Sequence, residues 1–231
     1  QMFSPTFMRH MYDYGTRPEQ VAAVKAIHSE HASNNPKAFY KERVTVQDVL
    51  ASRMICKPLH LLDCCVETDN GTALVVTSAE RARNCRHPRT LIRGVVGRCS
   101  KPRMDMHYQY GPISTVAGHY GREILWPNSG VGPDDVDVTG SYDAFTFTTM
   151  LQLEDYGFCK KGEGGAYVSD GTIRLGGRRP NNTSGGHLCE GYTHGQNMVI
   201  ENVRQLRHDA DDSCPTGPDG KRQHTYDYRE G

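Results

Sequence analysis

The sequence predicts a mixed α/β fold with a largely parallel sheet, because apolar strand-like segments alternate with helical segments along the chain. The clearest strand signal is residues 73–77, a continuous apolar run of the kind that a sheet buries on both faces. The clearest helix signal is residues 18–34, where Val21, Val24 and Ile27 recur at helical spacing among good helix formers.

The other elements of the first half follow from capping and turn chemistry. Residues 46–50 are predicted to be a short helix, with Thr45 as its N-cap and Asp48 at the third position. Residues 59–65 are expected to be a buried extended segment after Pro58, which ends the preceding region. A turn at residues 69–71 leads into the strand 73–77, and Ser78 is expected to cap a helix over residues 79–83.

The second half is predicted to continue the alternation of strands and helices. We expect strands at residues 91–97 and 136–139, a loop over a pocket at 98–110, helices at 111–125 and 144–156, short alternating stretches within the glycine-rich 162–177, and an amphipathic segment at 198–207.

Composition excludes several classes of protein. The 27 Lys and Arg residues among 231 balance the 27 Asp and Glu residues, so no overall field favours nucleic acid or an anionic membrane. No apolar run is long enough to span a bilayer, and the start of the chain is not signal-like. The eight cysteines include no Cys-x-x-Cys pair, and Cys64 and Cys65 are adjacent, so we expect reduced thiols and a cytoplasmic protein.

Residues 182–195 concentrate glycines, imidazoles, a thiol, a carboxylate and a phenol before the amphipathic segment. A metal site built from His187, Cys189, Glu190 and His194 is one interpretation, but their spacing matches no regular ligand pattern. A purely structural tight turn is the second interpretation. The third is a catalytic turn in which backbone N–H groups near Gly185 and Gly186 face a developing oxyanion.

A second segment favours the catalytic interpretation. Residues 135–147, taken with residues 182–195 and the turn and strand at 69–78, resemble three ordered blocks of the thiolase superfamily. Thiolases carry Asn-Glu-Ala-Phe and, later, a Gly-Gly turn leading to Gly-His-Pro. In this sequence Tyr142 stands in place of that Asn and Asp143 in place of the Glu, while Tyr192-Thr193 replaces His-Pro.

The resemblance implies a thiolase-like layered αβαβα fold with mixed five-stranded sheets, incomplete in this chain. It divides the chain into a helical loop region (1–58), the last strand and helix of the N-terminal core domain (59–88) and an incomplete C-terminal core domain (89–231). The chain is expected to be a fragment truncated at both ends, because both thiolase cysteines would lie outside it.

The chain more narrowly resembles the lipid-transfer-protein-type branch and its bacterial steroid side-chain aldolases. The resemblance implies an acyl-CoA lyase that cleaves a steroid β-hydroxyacyl-CoA into propionyl-CoA and a 17-ketosteroid by a retro-aldol reaction. Tyr142 and Tyr192 would be catalytic, and Asp143 would support them. A phenol titrates near about pH 10, so a tyrosine base needs tuning, for which His187 and His194 are candidates.

The same resemblance implies a homodimer bound to a partner subunit with an OB-fold and a zinc ribbon. No metal and no cofactor is expected, because coenzyme A is part of the substrate. Two alternatives remain open: a degradative thiolase-type acyltransferase, and a non-catalytic scaffold that binds acyl-CoA or lipid.

Overall fold

The computed structural model describes residues 3–97, 113–207 and 210. The predicted loop at 98–110 therefore lies outside the described residues. The helices are α1 Phe3–Tyr14, α2 Pro18–Ser33, α3 Val46–Ala51, α4 Ala79–Ala82, α5 Gly118–Ser129, α6 Thr146–Asp155, α7 Gly164–Ser169, α8 Gly186–Cys189 and α9 Gln196–Leu206. The strands β1 Met54–Cys56 and β2 Leu59–His60 pair antiparallel, and two 3-10 turns cover Leu61–Asp63 and Pro133–Asp135.

Helix α2 lies at the centre of the packing. It contacts α3, α6, α7 and α8, and its predicted apolar face is confirmed because Val21, Val24 and Ile27 are buried. The same core includes Phe147 of α6 and Leu188 of α8, both fully buried. Residues before position 58 thus share one core with residues after position 89, while the domain division inferred from the sequence stays a prediction.

Several predicted helices are confirmed together with their caps. The Thr45 hydroxyl accepts a hydrogen bond from the Asp48 amide at 3.2 Å, and the Asp48 carboxylate accepts one from the Thr45 amide at 2.7 Å, which completes a capping box. The Ser78 hydroxyl caps α4 by accepting from the Arg81 amide at 3.3 Å. Helix α9 forms where the amphipathic segment was predicted.

Helix α1 was missing from the sequence prediction. It is held in place by contacts that are distant in the sequence: the Phe7 ring stacks on Phe147 at a centroid distance of 4.6 Å, and His10 Nε2 lies 2.9 Å from Glu154 Oε2. The amphipathic pattern of Phe3–Tyr14 is a local signal that the prediction missed, and α6 supplies the partners for its apolar face.

The strands predicted at residues 73–77 and 91–97 are wrong for the described structure. Both segments lack regular secondary structure, and their apolar side chains face outwards, with Val75 94% and Val95 73% exposed. A strand buried on both faces needs neighbours for its backbone hydrogen bonds and for each face, and the described residues supply none.

The other segments predicted as strands form only a two-residue strand or a single β-bridge. Within residues 59–65 only Leu59 and His60 pair as a strand before the chain turns through Leu61–Asp63. Residues 136–139 form no strand, and Thr139 alone makes a parallel bridge, to Asn181. Residues 164–169, where alternation was expected, form α7, because the Glu154 carboxylate accepts from the Gly162 and Gly164 amides at 3.0 and 2.8 Å.

Two helix boundaries are shifted by tertiary hydrogen bonds. The helix expected over residues 111–125 begins at Gly118, since the preceding loop is tied to α6 by a 2.5 Å hydrogen bond from the Val116 amide to Asp155. The helix expected from residue 144 begins at Thr146, because the Ala144 carbonyl accepts from the Cys65 amide at 2.9 Å.

Arg179 connects the 3-10 turn at Pro133–Asp135 to helix α7. Its guanidinium, only 2% exposed, donates to the carbonyls of Val136 and Pro133 at 2.7 and 2.8 Å and to the Tyr167 hydroxyl at 2.9 Å. The neighbouring Arg178 is exposed and pairs with Asp134 at 3.0 Å. Arg179 is thus a structural residue, whereas Arg178 lies on the surface.

We expect Arg179→Met to lower the free energy of unfolding by about 3 kcal/mol, because the substitution leaves buried acceptors without donors. Arg178→Met is the matched control and is expected to change it by less than about 0.5 kcal/mol. Urea unfolding of both variants measures the difference. Equal effects of the two substitutions would contradict the structural role of Arg179.

Within the described ranges, no helix combines the length and apolar character needed to cross a lipid bilayer.

Candidate active site

The structure brings the hydroxyl groups of Tyr142 and Tyr192 into direct hydrogen-bond contact, although 50 positions separate them in sequence. The Nδ1 atom of His194 lies 3.1 Å from the Tyr142 hydroxyl. The three side chains therefore form a continuous line of exchangeable protons. Tyr142 is 36% exposed, so this line lies at the surface of the described structure.

Tyr142 is positioned by the first turns of α6. Its amide donates to Gln152 Oε1 at 3.1 Å, and its carbonyl accepts from Gln152 Nε2 at 2.8 Å and from the Thr148 hydroxyl at 3.2 Å. The extended backbone of Tyr142 is thus clamped by side chains of a well-packed helix. A rigid main chain at this point fixes the direction of the phenol ring.

Tyr192 is positioned by a different segment. Its amide donates to the Thr68 hydroxyl at 2.9 Å, and its ring packs on the His187 ring at a centroid distance of 4.5 Å. The preceding Gly191 approaches Asn70 so closely that a Cβ atom there would lie 2.6 Å from the Asn70 amide nitrogen. Residues 68–70 therefore form one wall of the site.

The carboxylate of Asp143 organises the base of the site. It is fully buried, accepts from the His187 and Leu188 amides at 2.8 and 3.3 Å, and lies 3.0 Å from His28 Nδ1. Burial by itself raises the pKa of Asp143, but the hydrogen bond and charge of His28 and the His187 contacts outweigh it, so the pKa is lowered. Asp143 is thus an anion that holds the turn beneath the tyrosines.

The Gly185-Gly186 turn is required for that arrangement. Both residues have positive φ, 107° and 60°, and a Cβ on Gly186 would lie 2.2 Å from Asp143 Oδ2. The amides that open α8, those of His187 and Leu188, point at Asp143 rather than at open space. The oxyanion role expected of Gly185 and Gly186 stays a prediction, although the neighbouring amides of His187 and Leu188 are already engaged by Asp143.

His187 does not contact either phenol hydroxyl through its nitrogens. Its Nε2 accepts from the Gly195 amide at 2.9 Å, and its Nδ1 faces Asp143 Oδ1 at 3.6 Å. Burial lowers the pKa of His187, which keeps the ring neutral and leaves Nε2 free to accept. The ring packs edge-on against Tyr142 at 4.7 Å, a contact that helps to position the phenol, while the tuning role expected of His187 stays a prediction.

His194 is the histidine that reaches the phenols. Its backbone is left-handed, with φ of 51°, an uncommon conformation for a residue with a side chain. The Gly195 amide that follows is held by His187 Nε2, which fixes the main chain at this point. Strain of this kind is found where a side chain must be aimed, and here it aims an imidazole at Tyr142.

The metal interpretation of residues 187–194 fails on geometry. The Cys189 thiol is buried 3.3 Å from Lys25 Nζ, and the Glu190 carboxylate accepts from Ser184 and Asn197 at 2.6 and 2.9 Å. These contacts already engage both side chains. In the described part of the chain, no group of three or more His, Cys, Asp or Glu residues could hold a metal ion.

Sequence reasoning missed His28 and Lys25. His28 joins Asp143 to Asn181, with its nitrogens 3.0 and 3.1 Å from their side-chain oxygens, and Lys25 Nζ donates to the Leu188 carbonyl at 2.6 Å. Both residues fall on the apolar face that Val21 and Val24 define on α2. Polar residues on a predicted core face need buried partners, and that signal could have found them.

His31 is a third buried histidine of α2, near the glycine-rich turn. Its Nδ1 donates to the Asn182 carbonyl at 3.3 Å, and its Nε2 accepts from the Leu175 amide at 3.1 Å. Both contacts suit the neutral ring, because a second proton would face the Leu175 N–H. Burial, with a smaller contribution from His28, lowers the pKa of His31 to about 3.

We therefore expect stability to decline on acidification between about pH 6.5 and pH 3. In this window the unfolded chain binds a proton at position 31, as a free histidine does below about pH 6.5, and the folded chain does not. The slope from this residue is at most about 1.4 kcal/mol per pH unit. Urea unfolding of His31→Gln should give a shallower decline, whereas the control His119→Gln should keep the original one. Parallel curves for wild type and His31→Gln would contradict the assignment.

Comparison with known proteins identifies a domain family and several relatives that resemble this chain. Residues 118–219 match the family described as Thiolase C-terminal domain-like. The chain is 45% identical over 203 residues to the 17-hydroxy-3-oxo-4-pregnene-20-carboxyl-CoA lyase of Mycobacterium tuberculosis, covering 86% of this chain and 52% of that protein. It is 43% identical to the steroid side-chain-cleaving aldolase of Thermomonospora curvata, with the same coverage of 86% and 52%.

A solved structure described as an Ltp2-ChsH2(DUF35) aldolase superposes with a TM-score of 0.85 at 39% identity, covering 90% of this chain and 55% of that chain. The chain spans about half the length of the relatives it matches. The overlap confirms the thiolase-like α/β fold class predicted from the sequence. The chain therefore carries a thiolase C-terminal-like domain and is similar, over about half of their length, to the aldolases that cleave steroid side chains.

Proposed function

We propose that the full-length protein is an acyl-CoA carbon–carbon lyase that cleaves a steroid β-hydroxyacyl-CoA by a retro-aldol reaction. The products are propionyl-CoA and a 17-ketosteroid. One observation carries the proposal: the hydroxyls of Tyr142 and Tyr192 meet at the positions of the thiolase Asn and His. The names of the relatives, a lyase and an aldolase acting on steroid side chains, support the same reaction class.

The chemistry needs what two phenols supply. A retro-aldol cleavage needs a base for the hydroxyl proton, a hydrogen-bond donor for the thioester enolate, and a proton for the enolate carbon. Burial and the hydrogen bond to Tyr192 raise the pKa of Tyr142, which keeps Tyr142 protonated and able to donate. The proposed reaction uses no metal and no cofactor, because coenzyme A enters as part of the substrate.

The described cysteines near the site do not supply the nucleophile of a thiolase-type acyltransferase. A thiolase nucleophile must be a thiolate, whereas burial raises the pKa of Cys189 to about 11 and also raises that of Cys65. Cys189 is, in addition, fully buried against Lys25. Neither thiol is placed or ionised for nucleophilic attack on a thioester.

We further propose a homodimer that binds a second subunit with an OB-fold and a zinc ribbon. The solved relative carries a name that joins Ltp2 with ChsH2(DUF35), which supports a second component. The exposed apolar side chains of residues 74–76 and 91–95 support burial against further protein, because contiguous exposed apolar surface marks interaction sites.

The proposal is tested by incubating the full-length protein and its partner with a steroid β-hydroxyacyl-CoA and following propionyl-CoA by mass spectrometry. We expect propionyl-CoA without added free coenzyme A. Products that form only with free coenzyme A and a β-ketoacyl-CoA would assign the acyltransferase alternative. Tight binding of both substrates without turnover would assign the scaffold alternative.

A further inference from the structure

The phenols of Tyr142 and Tyr192 hold their protons too tightly to serve as a ready base at neutral pH. A phenol titrates near about pH 10, and the surroundings of Tyr142 raise its pKa further through burial and the contact with Tyr192. A tyrosinate is therefore a costly base at neutral pH, yet the retro-aldol reaction needs one group to take the substrate hydroxyl proton. An imidazole, which titrates about three pH units lower than a phenol, accepts a proton readily there.

The geometry provides such an imidazole at the end of the line formed by the two hydroxyls. Tyr192 contacts Tyr142, and Tyr142 contacts His194 Nδ1 at 3.1 Å. We propose that His194 is the proton relay residue of the site: it takes the substrate proton through the two hydroxyls and returns it to the enolate. This inference rests on the proposed lyase function and concerns the same site.

The protons balance along this path. The substrate hydroxyl gives its proton to the Tyr192 oxygen, Tyr192 gives its own to Tyr142, and Tyr142 gives its own to His194 Nδ1. The carbon–carbon bond then breaks, its electron pair becomes the thioester enolate, and the steroid oxygen becomes a ketone. The return of the same three protons in reverse order protonates the enolate carbon. Neither tyrosine becomes an anion at any stage.

The surrounding residues hold His194 in this role. Asp143 accepts from the His187 amide at 2.8 Å, and His187 Nε2 accepts from the Gly195 amide at 2.9 Å, so the left-handed turn at His194 is anchored to a buried anion. The titratable side chains around His194 in the described structure are Tyr142, Tyr192 and His187. The neutral state of His187 leaves His194 free to carry the proton without a second cation beside it.

The test uses His194→Asn and His194→Gly in the full-length protein with its partner. Both replacements accept a left-handed backbone, so the turn is kept while the imidazole is removed. We expect kcat to fall by about two orders of magnitude with KM within about threefold, which is the lower range of a general-base contribution. His119→Asn, a half-buried histidine on α5, is the control and should keep wild-type kinetics.

Two further readouts separate a relay from a structural role. The pH profile of kcat/KM should differ between the wild type and both variants, because only the wild type carries an ionisable side chain at position 194. Added imidazole should raise the rate of His194→Gly at least tenfold and leave a Tyr142→Phe variant unchanged. Unchanged kcat, an unchanged pH profile or no response to imidazole overturns the relay. An inactive wild type would instead overturn the proposed function itself.

Discussion

Tyr192→Phe is expected to lower turnover of the full-length protein in the proposed lyase reaction by about two to four orders of magnitude, the usual size of an acid–base contribution. The substitution removes the hydroxyl that meets Tyr142 but keeps the ring that packs on His187 at 4.5 Å. Because the ring still fills its place, KM for the acyl-CoA should change little. Steady-state release of propionyl-CoA measures both constants.

Tyr142→Phe is expected to give a loss of similar size, because its hydroxyl stands between Tyr192 and His194. The matched control is Tyr12→Phe, which removes the hydroxyl of an exposed tyrosine on α1 and should leave turnover unchanged. Cys189→Ala and Cys65→Ser should retain most activity. Full activity in both phenylalanine variants, or complete loss in a folded cysteine variant, would favour the acyltransferase alternative.

Gly186→Ala is expected to lower the free energy of unfolding by at least about 4 kcal/mol and to abolish turnover. The added Cβ would lie 2.2 Å from Asp143 Oδ2 and 2.7 Å from Asn182 Nδ2. The carboxylate cannot move aside freely, because His28 and two backbone amides hold it. The substitution therefore breaks a buried anion's contacts as well as straining the backbone.

Gly15→Ala separates these two effects. Gly15 has a similar φ of 69°, but a Cβ there would meet nothing within 4 Å. Its substitution should cost only the left-handed strain, about 1–2 kcal/mol. Urea unfolding of both variants gives the comparison. Equal costs would show that the Asp143 contact contributes nothing at the turn.

Local signals predicted the elements that depend on local physics. The α2 face, the Thr45 and Ser78 caps and α9 follow from periodicity and from side chains that satisfy nearby amides. Residues 73–77 carried an equally clear apolar signal, but a strand also needs neighbours, and these are not supplied by the described chain. Helix α1 was missed although its segment carries an amphipathic pattern similar to that of α9.

The candidate site, like the fold, was predicted only in part from the sequence. The pairing of Tyr142 with Tyr192 followed from their positions in two motifs, and the structure places their hydroxyls together. The sequence did not predict whether His187 or His194 reaches the phenols, because both lie close to Tyr192 in the sequence. The left-handed turn at His194 directs its ring towards Tyr142. The Asp143 network stayed hidden because its His28 contact crosses 115 positions.

Residues 68–70, which form one wall of the site, lead into an exposed apolar segment. Cys65 and Thr68 are hydrogen-bonded to Ala144 and Tyr192, and six positions after Thr68 the chain becomes the exposed apolar run 74–76. A segment restrained at one end keeps much of its conformational entropy, whereas one restrained at both ends loses it. Any protein surface that covers residues 74–76 therefore also stiffens the Thr68 hydroxyl and, through it, the Tyr192 main chain. We therefore expect the proposed proton transfer to depend on whether residues 74–76 are covered by another protein surface.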